Sequence, residues 1–183
     1  MSVKKGTIWF AFLRGVNLGK RSVKNDDLKE AFRKMGFDDA QPVIASGNVL
    51  FSSETTPDPA RIEQGLEAQF GFSVGIVLRS RDAIAELAGS RPFGAYEAGN
   101  DTKLYAYFVS GPIGNRLNGL EPVEGDFDVV RIDDDQFFTA MFRQPSGRFG
   151  SGLDGADKRF KDVVVTSRNW STVERMLAKA ERF

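Results

Sequence analysis

The residues able to do chemistry in this chain are arginines, lysines, carboxylates and hydroxyls, because histidine and cysteine are absent. That excludes a Ser/His/Asp triad, a Cys/His nucleophile pair, an imidazole acid or base, and zinc, haem or iron–sulfur sites built from imidazole or thiolate. Gly15-x-x-x-Gly19-Lys20 follows an apolar run and precedes a helical pattern, which is the setting of a phosphate-binding loop. As a nucleotide-hydrolysing loop it is one residue short, and Arg21 stands where a Mg²⁺-binding Ser or Thr belongs. What survives is a glycine-rich turn flanked by Arg14, Lys20, Arg21 and Lys24. Such a turn can hold an anion through backbone N–H groups and guanidinium forks, or can be a βα turn with solvated cations. Arg168-Asn169-Trp170 lies between a strand end and a helix start, where free N–H groups and the helix dipole favour an anion. There Asn169 or Ser171 would otherwise cap the helix, and Trp170 would anchor it to the core. Ser46 and Asn48 flank Gly47 in a turn they could simply build.

Two further patterns fail on context. Gly150-Ser151-Gly152-Leu153-Asp154-Gly155 matches G-x-G-x-x-G, but no strand runs into it and too little chain follows for a dinucleotide-binding unit. Asp126, Asp128 and Asp133 to Asp135 lack the spacing of a calcium loop and suit a charged hairpin turn. Neither a metal site nor a cofactor is expected.

The elements that must position these residues follow from periodicity. Thr7 to Leu13 is apolar at every second position on both faces, so it should be a strand buried from both sides. Asn25 should cap a helix carrying Leu28, Ala31, Phe32 and Met35 and ending at Gly36. Pro42 to Ala45 and Asn48 to Ser52 suggest strands joined around Ser46-Gly47, and Asp58-Pro59 starts a helix with Ile62, Leu66 and Phe70 inward. Gly75 to Leu78 is a strand, and Ser80 caps a short helix ending near Gly89. After a linker from Arg91 to Asp101, Lys103 to Val109 is again apolar on both faces. A weak helix at Ile113 to Leu120 comes next, then strands Phe127 to Ile132 and Gln136 to Phe142 joined by Asp133-Asp134-Asp135. A short helix around Ala156 to Phe160, a strand at Val163 to Thr166 and a final helix opened by a Ser171-x-x-Glu174 capping box complete the chain.

That order is βαββαβ plus a helix, twice. The expected fold class is therefore α+β, as tandem ferredoxin-like units with antiparallel sheets. Residues 1–95 would form an N-terminal unit with an appended helix, and 96–183 a C-terminal unit of similar order. Each sheet would have one face under its own helices and the other buried elsewhere; a single mixed sheet with helices on both faces is the competing architecture.

Net charge is zero, but its distribution is not even. Residues 1–34 hold nine basic and three acidic side chains, 97–135 nine acidic and three basic, and 136–183 nine basic and five acidic. Basic ends around an acidic middle do not suit a chain-wide grip on nucleic acid, so nucleic acid is not the expected partner. No apolar run approaches the ~20 residues that cross a bilayer, and Met1 to Lys5 is too short and polar for a signal segment, so no membrane association and a cytoplasmic location are expected.

Leu13-Arg14-Gly15-Val16-Asn17-Leu18-Gly19, Ser46-Gly47-Asn48-Val49-Leu50-Phe51 and Thr166-Ser167-Arg168-Asn169-Trp170-Ser171-Thr172-Val173, in this order and spacing, resemble the hallmark segments of the bacterial domain-of-unknown-function family 1697. The resemblance implies small cytoplasmic α/β proteins with tandem ferredoxin-like units and no established activity, substrate or cofactor. Between Gly147 and Phe160 the chain departs from the family pattern, with Gly150, Gly152 and Gly155 loosening the segment.

The function favoured from these residues is binding of a small phosphate- or carboxylate-bearing ligand at strand-end loops, with Arg14, Asn17, Lys20, Ser46, Asn48, Arg168, Asn169 and Trp170 as candidate ligand residues. One alternative is an enzyme using a carboxylate or lysine as general base with arginine stabilising negative charge. The other is a protein or RNA interaction module. For RNA, the first strand offers Trp9, Phe10 and Phe12, but Asn48 to Ser52 lacks the basic and aromatic signature, and core burial explains the aromatics better.

Overall fold

The apolar run after Gly6 becomes β1 (Thr7–Arg14), and both its faces are buried in the computed structural model. Ala11 and Leu13 alternate to one face, Phe10 and Phe12 to the other, and all four are shielded from water. The structure describes residues 6–17, 19, 22–44, 47–150 and 156–183. The chain divides into two compact units: Met1–Glu86 with Arg175–Phe183, and Leu87–Glu174.

In unit 1, β1 is followed by α1 (Asn25–Lys34), β2 (Gln41–Pro42), β3 (Asn48–Ser53), α2 (Pro59–Phe70), β4 (Gly75–Ser80) and the start of α3 (Arg81–Gly89). The sheet order is β2-β3-β1-β4 with every neighbour antiparallel, which is the ferredoxin-like arrangement. Leu28, Ala31 and Phe32 of α1 and Ile62 and Leu66 of α2 share a core with Ala11, Leu13, Val49, Phe51 and Ile76. Asp26 and Asp27 in the first turn of α1 and Arg33 and Lys34 in its last suit the helix dipole. Asn25 is not the cap of this helix but its first residue; the cap position belongs to Lys24, whose side chain makes no capping bond. Asp58 does cap α2, accepting from the Ala60 N–H at 3.0 Å, and Gly71 ends it at φ 74°. Of the expected strand Pro42 to Ala45, whose Ala45 lies outside the described residues, only Pro42 is in a strand, β2, with Gln41. Pro42 has no N–H to donate, and Ile44 at φ 60° leaves the extended region.

In unit 2, β5 (Thr102–Val109), β6 (Phe127–Ile132), β7 (Gln136–Phe142) and β8 (Val165–Asn169) are ordered β6-β7-β5-β8, the same path through a second antiparallel sheet. β6 and β7 form the expected hairpin through 133–135. The helices are where the repeat weakens. Residues 113–120 form consecutive turns rather than a helix, with Gly114 at φ 51° and Gly119 at φ 72°. The Arg116, Asn118 and Leu120 N–H groups reach back three residues, to the Ile113, Asn115 and Leu117 carbonyls, and Arg159 donates to the Arg116 and Asn118 carbonyls at 3.2 and 3.0 Å. The second helix is a single 3₁₀ turn, Ala156–Arg159. These segments nevertheless bury Ile113, Leu117 and Phe160 against Val109, Phe127, Phe137 and Val165, with the rings of Tyr107 and Phe137 stacked at 4.4 Å. The other face of β5 presents Leu104, Ala106 and Phe108, also buried.

The last strand starts at Val165 rather than Val163 and runs to Asn169, directly into α4 (Trp170–Ala180). Its cap is Asn169, not a Ser171–Glu174 box: Asn169 Oδ1 accepts from the Ser171 N–H at 3.1 Å and from its hydroxyl at 2.7 Å.

Candidate functional site

Two groups of the candidate residues are described, each within its own unit. In unit 1, Arg14 closes β1 opposite Gly75, and Gly15, at φ 85°, turns the chain away from the sheet. Asn17 Oδ1 accepts the Val23 N–H at 3.1 Å, so the carboxamide holds together the ends of the loop it belongs to. The turn before β3 packs onto the same end of the sheet. The Leu13 N–H donates to the Gly47 carbonyl at 2.8 Å, and a Cβ at Gly47 would lie 2.6 Å from Val16 Cγ2 and 3.1 Å from Leu13 Cβ. Gly47 is therefore a glycine on two counts, its φ of 73° and this close approach. Asn48 is buried opposite Phe12, and its carbonyl accepts the Val43 N–H at 2.8 Å. Arg14 and Asn48 thus flank the Leu13–Gly47 contact on neighbouring strands, and Asn17 follows Arg14 three residues on, in the loop after β1. Lys20, Ser46, Arg21 and the glycine-rich tail 151–155 lie outside the described residues.

In unit 2, Arg168 sits within β8 rather than after it, paired with Ala106 of β5. Ala106 pairs in turn with Phe138 of β7, and Phe138 with Arg131 of β6, so one row of side chains crosses the sheet on one face with an arginine at each end. Arg168 Nη1 donates to Thr166 Oγ1 at 2.6 Å and to the Ser167 carbonyl at 2.7 Å. Burial lowers its pKa to about 10, which still leaves it protonated at neutral pH. Arg131 donates from Nε to Asp133 at 2.7 Å and from Nη1 to Ser90 Oγ at 2.8 Å, and its guanidinium lies 5.8 Å from the centre of the Phe138 ring.

Trp170 takes its core role. Its ring meets Phe93 at 5.3 Å and Phe138 edge-on at 6.3 Å, and it is 8% exposed, too little to offer a stacking face. Asn169 is committed to capping. Among the described residues no group of three carboxylates is arranged to hold a metal ion, and Asp133 is taken up by Arg131 and Gln136.

Sequence reasoning missed Arg131, because the β-bulge between Val129 and Arg131 shifts it into the row of Phe138 and Arg168, and no alternation count anticipates a bulge. It also missed Arg79, which faces Phe10 in the first sheet as Arg168 faces Ala106 in the second. The order strand, arginine, capping residue, helix was visible at both places and would have found the pair.

A model of the family described as protein of unknown function (DUF1697) matches residues 7–138. The segments around Arg14 and Gly47 fall inside that span, and the one around Arg168 falls beyond it. No curated relative matches the chain. Among solved structures, that of the conserved bacterial protein SP0830 from Streptococcus pneumoniae is similar over 96% of this chain and 98% of its own, at 18% identity and a TM-score of 0.65. At that identity the likeness carries the fold.

Proposed function

This chain belongs to the DUF1697 family of proteins of unknown function, and from that premise we propose that it is a cytoplasmic module holding a small phosphate- or carboxylate-bearing ligand at strand-end loops. The observation that carries the reading is the Leu13 N–H to Gly47 carbonyl bond in unit 1. Through it, two loops distant in sequence meet beside Arg14, at a sheet end with two left-handed glycines. Backbone N–H groups of a turn set beside a guanidinium are the combination that recognises a doubly charged oxyanion. Arg168 supplies a second guanidinium in unit 2, fixed by Thr166 and the Ser167 carbonyl and partly withdrawn from water. Its reduced hydration strengthens any contact with an anion, because less solvent competes. The absence of cysteine and of any helix long and apolar enough to cross a membrane, among the described residues, is consistent with the cytoplasmic part of the proposal.

The test is a thermal-shift screen against phosphosugars, nucleotides and dicarboxylates, run on the wild type and on Arg14→Ala and Arg168→Ala separately. The expected result is a ligand whose stabilisation of the wild type is lost in one or both variants. Stabilisation that is equal in all three proteins would sink the reading.

A further inference from the structure

Unit 1 carries a groove that no sequence motif marks. A cavity of about 510 Å³ lies between Gln41 of the edge strand β2 and Arg175, Ala178, Lys179 and Arg182 at the end of the chain. A second, of about 390 Å³, adjoins it and shares Gln41 and Lys179; its other walls include Lys29, Asp38 and Asp39. Both are open depressions of the surface, with Gln41, Asp38, Arg175, Lys179 and Arg182 exposed to solvent along them.

The charges are sorted along the groove. Arg175 and Lys179 stand one turn apart on α4 and Arg182 follows just past its end, and all three line the first cavity. Like charges four apart on a helix repel, and the helix dipole offsets part of that repulsion near the C-terminus. Yet among the described residues no ion pair engages Lys29, Arg175, Lys179 or Arg182. The dipole accounts for cations on the last turns. It does not account for their gathering around a concavity whose opposite lobe holds carboxylates. Of those carboxylates Asp39 is already occupied, accepting the Ser52 N–H at 3.1 Å and the Ser52 hydroxyl, while Asp38 is exposed at the mouth of the second lobe.

We propose that this groove binds a phosphorylated sugar, free or as part of a nucleotide. The phosphate sits among Arg175, Lys179 and Arg182, where guanidinium forks match its oxygens. The sugar hydroxyls donate to Asp38, and the Gln41 carboxamide, shared by both lobes, bridges the two ends of the ligand. A bare phosphate would use the first lobe alone, and a neutral sugar the second alone.

Calorimetric titration at low ionic strength with pyrophosphate, ribose 5-phosphate and ADP tests this. Saturable binding of ribose 5-phosphate is expected, weakened by about tenfold or more in an Arg175→Ala, Arg182→Ala double variant together with pyrophosphate and ADP. Asp38→Asn should weaken ribose 5-phosphate and ADP about tenfold while leaving pyrophosphate equal or tighter, because it removes a repelling charge. Both substitutions are at exposed positions, so folding should persist. ADP binding tighter than ribose 5-phosphate assigns a nucleotide, and equal binding assigns a sugar phosphate; either supports the groove. No saturable binding at millimolar concentrations, or an Asp38→Asn effect equal for all three probes, overturns it. So does binding lost in Arg14→Ala but kept in the double variant, which would move the ligand to the sheet-end loops.

Discussion

Arg79 and Arg168 occupy the same register position in two copies of one substructure. Arg79 faces Phe10 across β4 and β1, Arg168 faces Ala106 across β8 and β5, and each donates Nη1 to the carbonyl of the preceding residue, at 2.9 and 2.7 Å. Each is followed by a capping residue: Ser80 Oγ accepts the Ala83 N–H at 3.2 Å, and Asn169 Oδ1 accepts the Ser171 N–H at 3.1 Å. Each cap opens a helix whose inward residues correspond, Ile84 and Leu87 in α3, Val173 and Met176 in α4. Arg14 has no part in this equivalence, because it lies at the other end of its sheet, opposite Gly75 where β4 begins.

The cap reading of Asn169 makes a graded prediction. Asn169→Ala should destabilise the protein by about 1 kcal/mol, while Asn169→Asp or Asn169→Ser should lose only a few tenths, since both retain an acceptor for the Ser171 N–H. Chemical denaturation of the three variants measures it. Equal losses in all three would mean that the carboxamide N–H₂ matters and that capping is not the role of this side chain.

Gly47 and Gly71 form a controlled pair. Both are left-handed, at φ 73° and 74°, but a Cβ at Gly71 meets nothing within 4 Å whereas one at Gly47 strikes Val16 and Leu13. Gly71→Ala should therefore cost about 1 to 2 kcal/mol from backbone strain alone. Gly47→Ala should cost about 1 to 3 kcal/mol more from overpacking. Melting temperatures of the two variants decide the matter, and a Gly47→Ala protein as stable as Gly71→Ala would contradict the close approach.

Thr139 lies fully buried in β7 between Tyr105 and Val129, and its hydroxyl has no hydrogen-bond partner among the described residues. An unsatisfied buried hydroxyl is a cost without return. Thr139→Val, nearly isosteric, is expected to raise stability by about 1 kcal/mol, and Thr139→Ala to lower it by opening a small void. Urea unfolding with unchanged m-values would report this directly; a destabilised Val variant would reveal a hydrogen bond to that hydroxyl.

Tyr96 donates its phenol proton to the Asp128 carboxylate, and this bond, with burial and the nearby charge as smaller causes, raises the Tyr96 pKa above its usual value near 10. The neutral phenol is the form that the folded state favours. Its stabilising contribution is therefore complete below about pH 10 and disappears as pH rises through the elevated pKa. Ring-carbon NMR titration should show Tyr96 ionising late, and Asp128→Ala should bring its transition back down. A Tyr96 transition unmoved by Asp128→Ala would break the link between the two residues.

Much of this architecture is legible in the residues because it is local. Alternation in Thr7 to Leu13, the stripe Leu28, Ala31 and Phe32, the Asp58-Pro59 start and the Gly71 stop each rest on interactions within a few residues, so period and turn chemistry suffice to find them. The doubled ferredoxin-like order follows from stringing such elements together. Where the reading missed, long-range contacts had replaced local ones. Residues 113–120 kept a helical apolar spacing, but they stay in turns, with Gly114 and Gly119 left-handed and Arg159, some forty positions on, donating to the Arg116 and Asn118 carbonyls, and they still bury Ile113 and Leu117.

By itself the sequence determined the chemistry available: no imidazole, no thiolate, arginine-centred loops, and two runs whose strands had to be covered on both faces. Tertiary structure alone decided where those side chains are placed and what they touch. It committed Asn17 to its loop, Asn169 to a helix cap and Trp170 to the core, set Gly47 against Leu13 beside Arg14, and gathered Arg175, Lys179 and Arg182 around Gln41. The physical reason is that a hydrogen bond or close packing between residues far apart in the chain depends on sheet register and helix placement, which nearest-neighbour patterns do not encode.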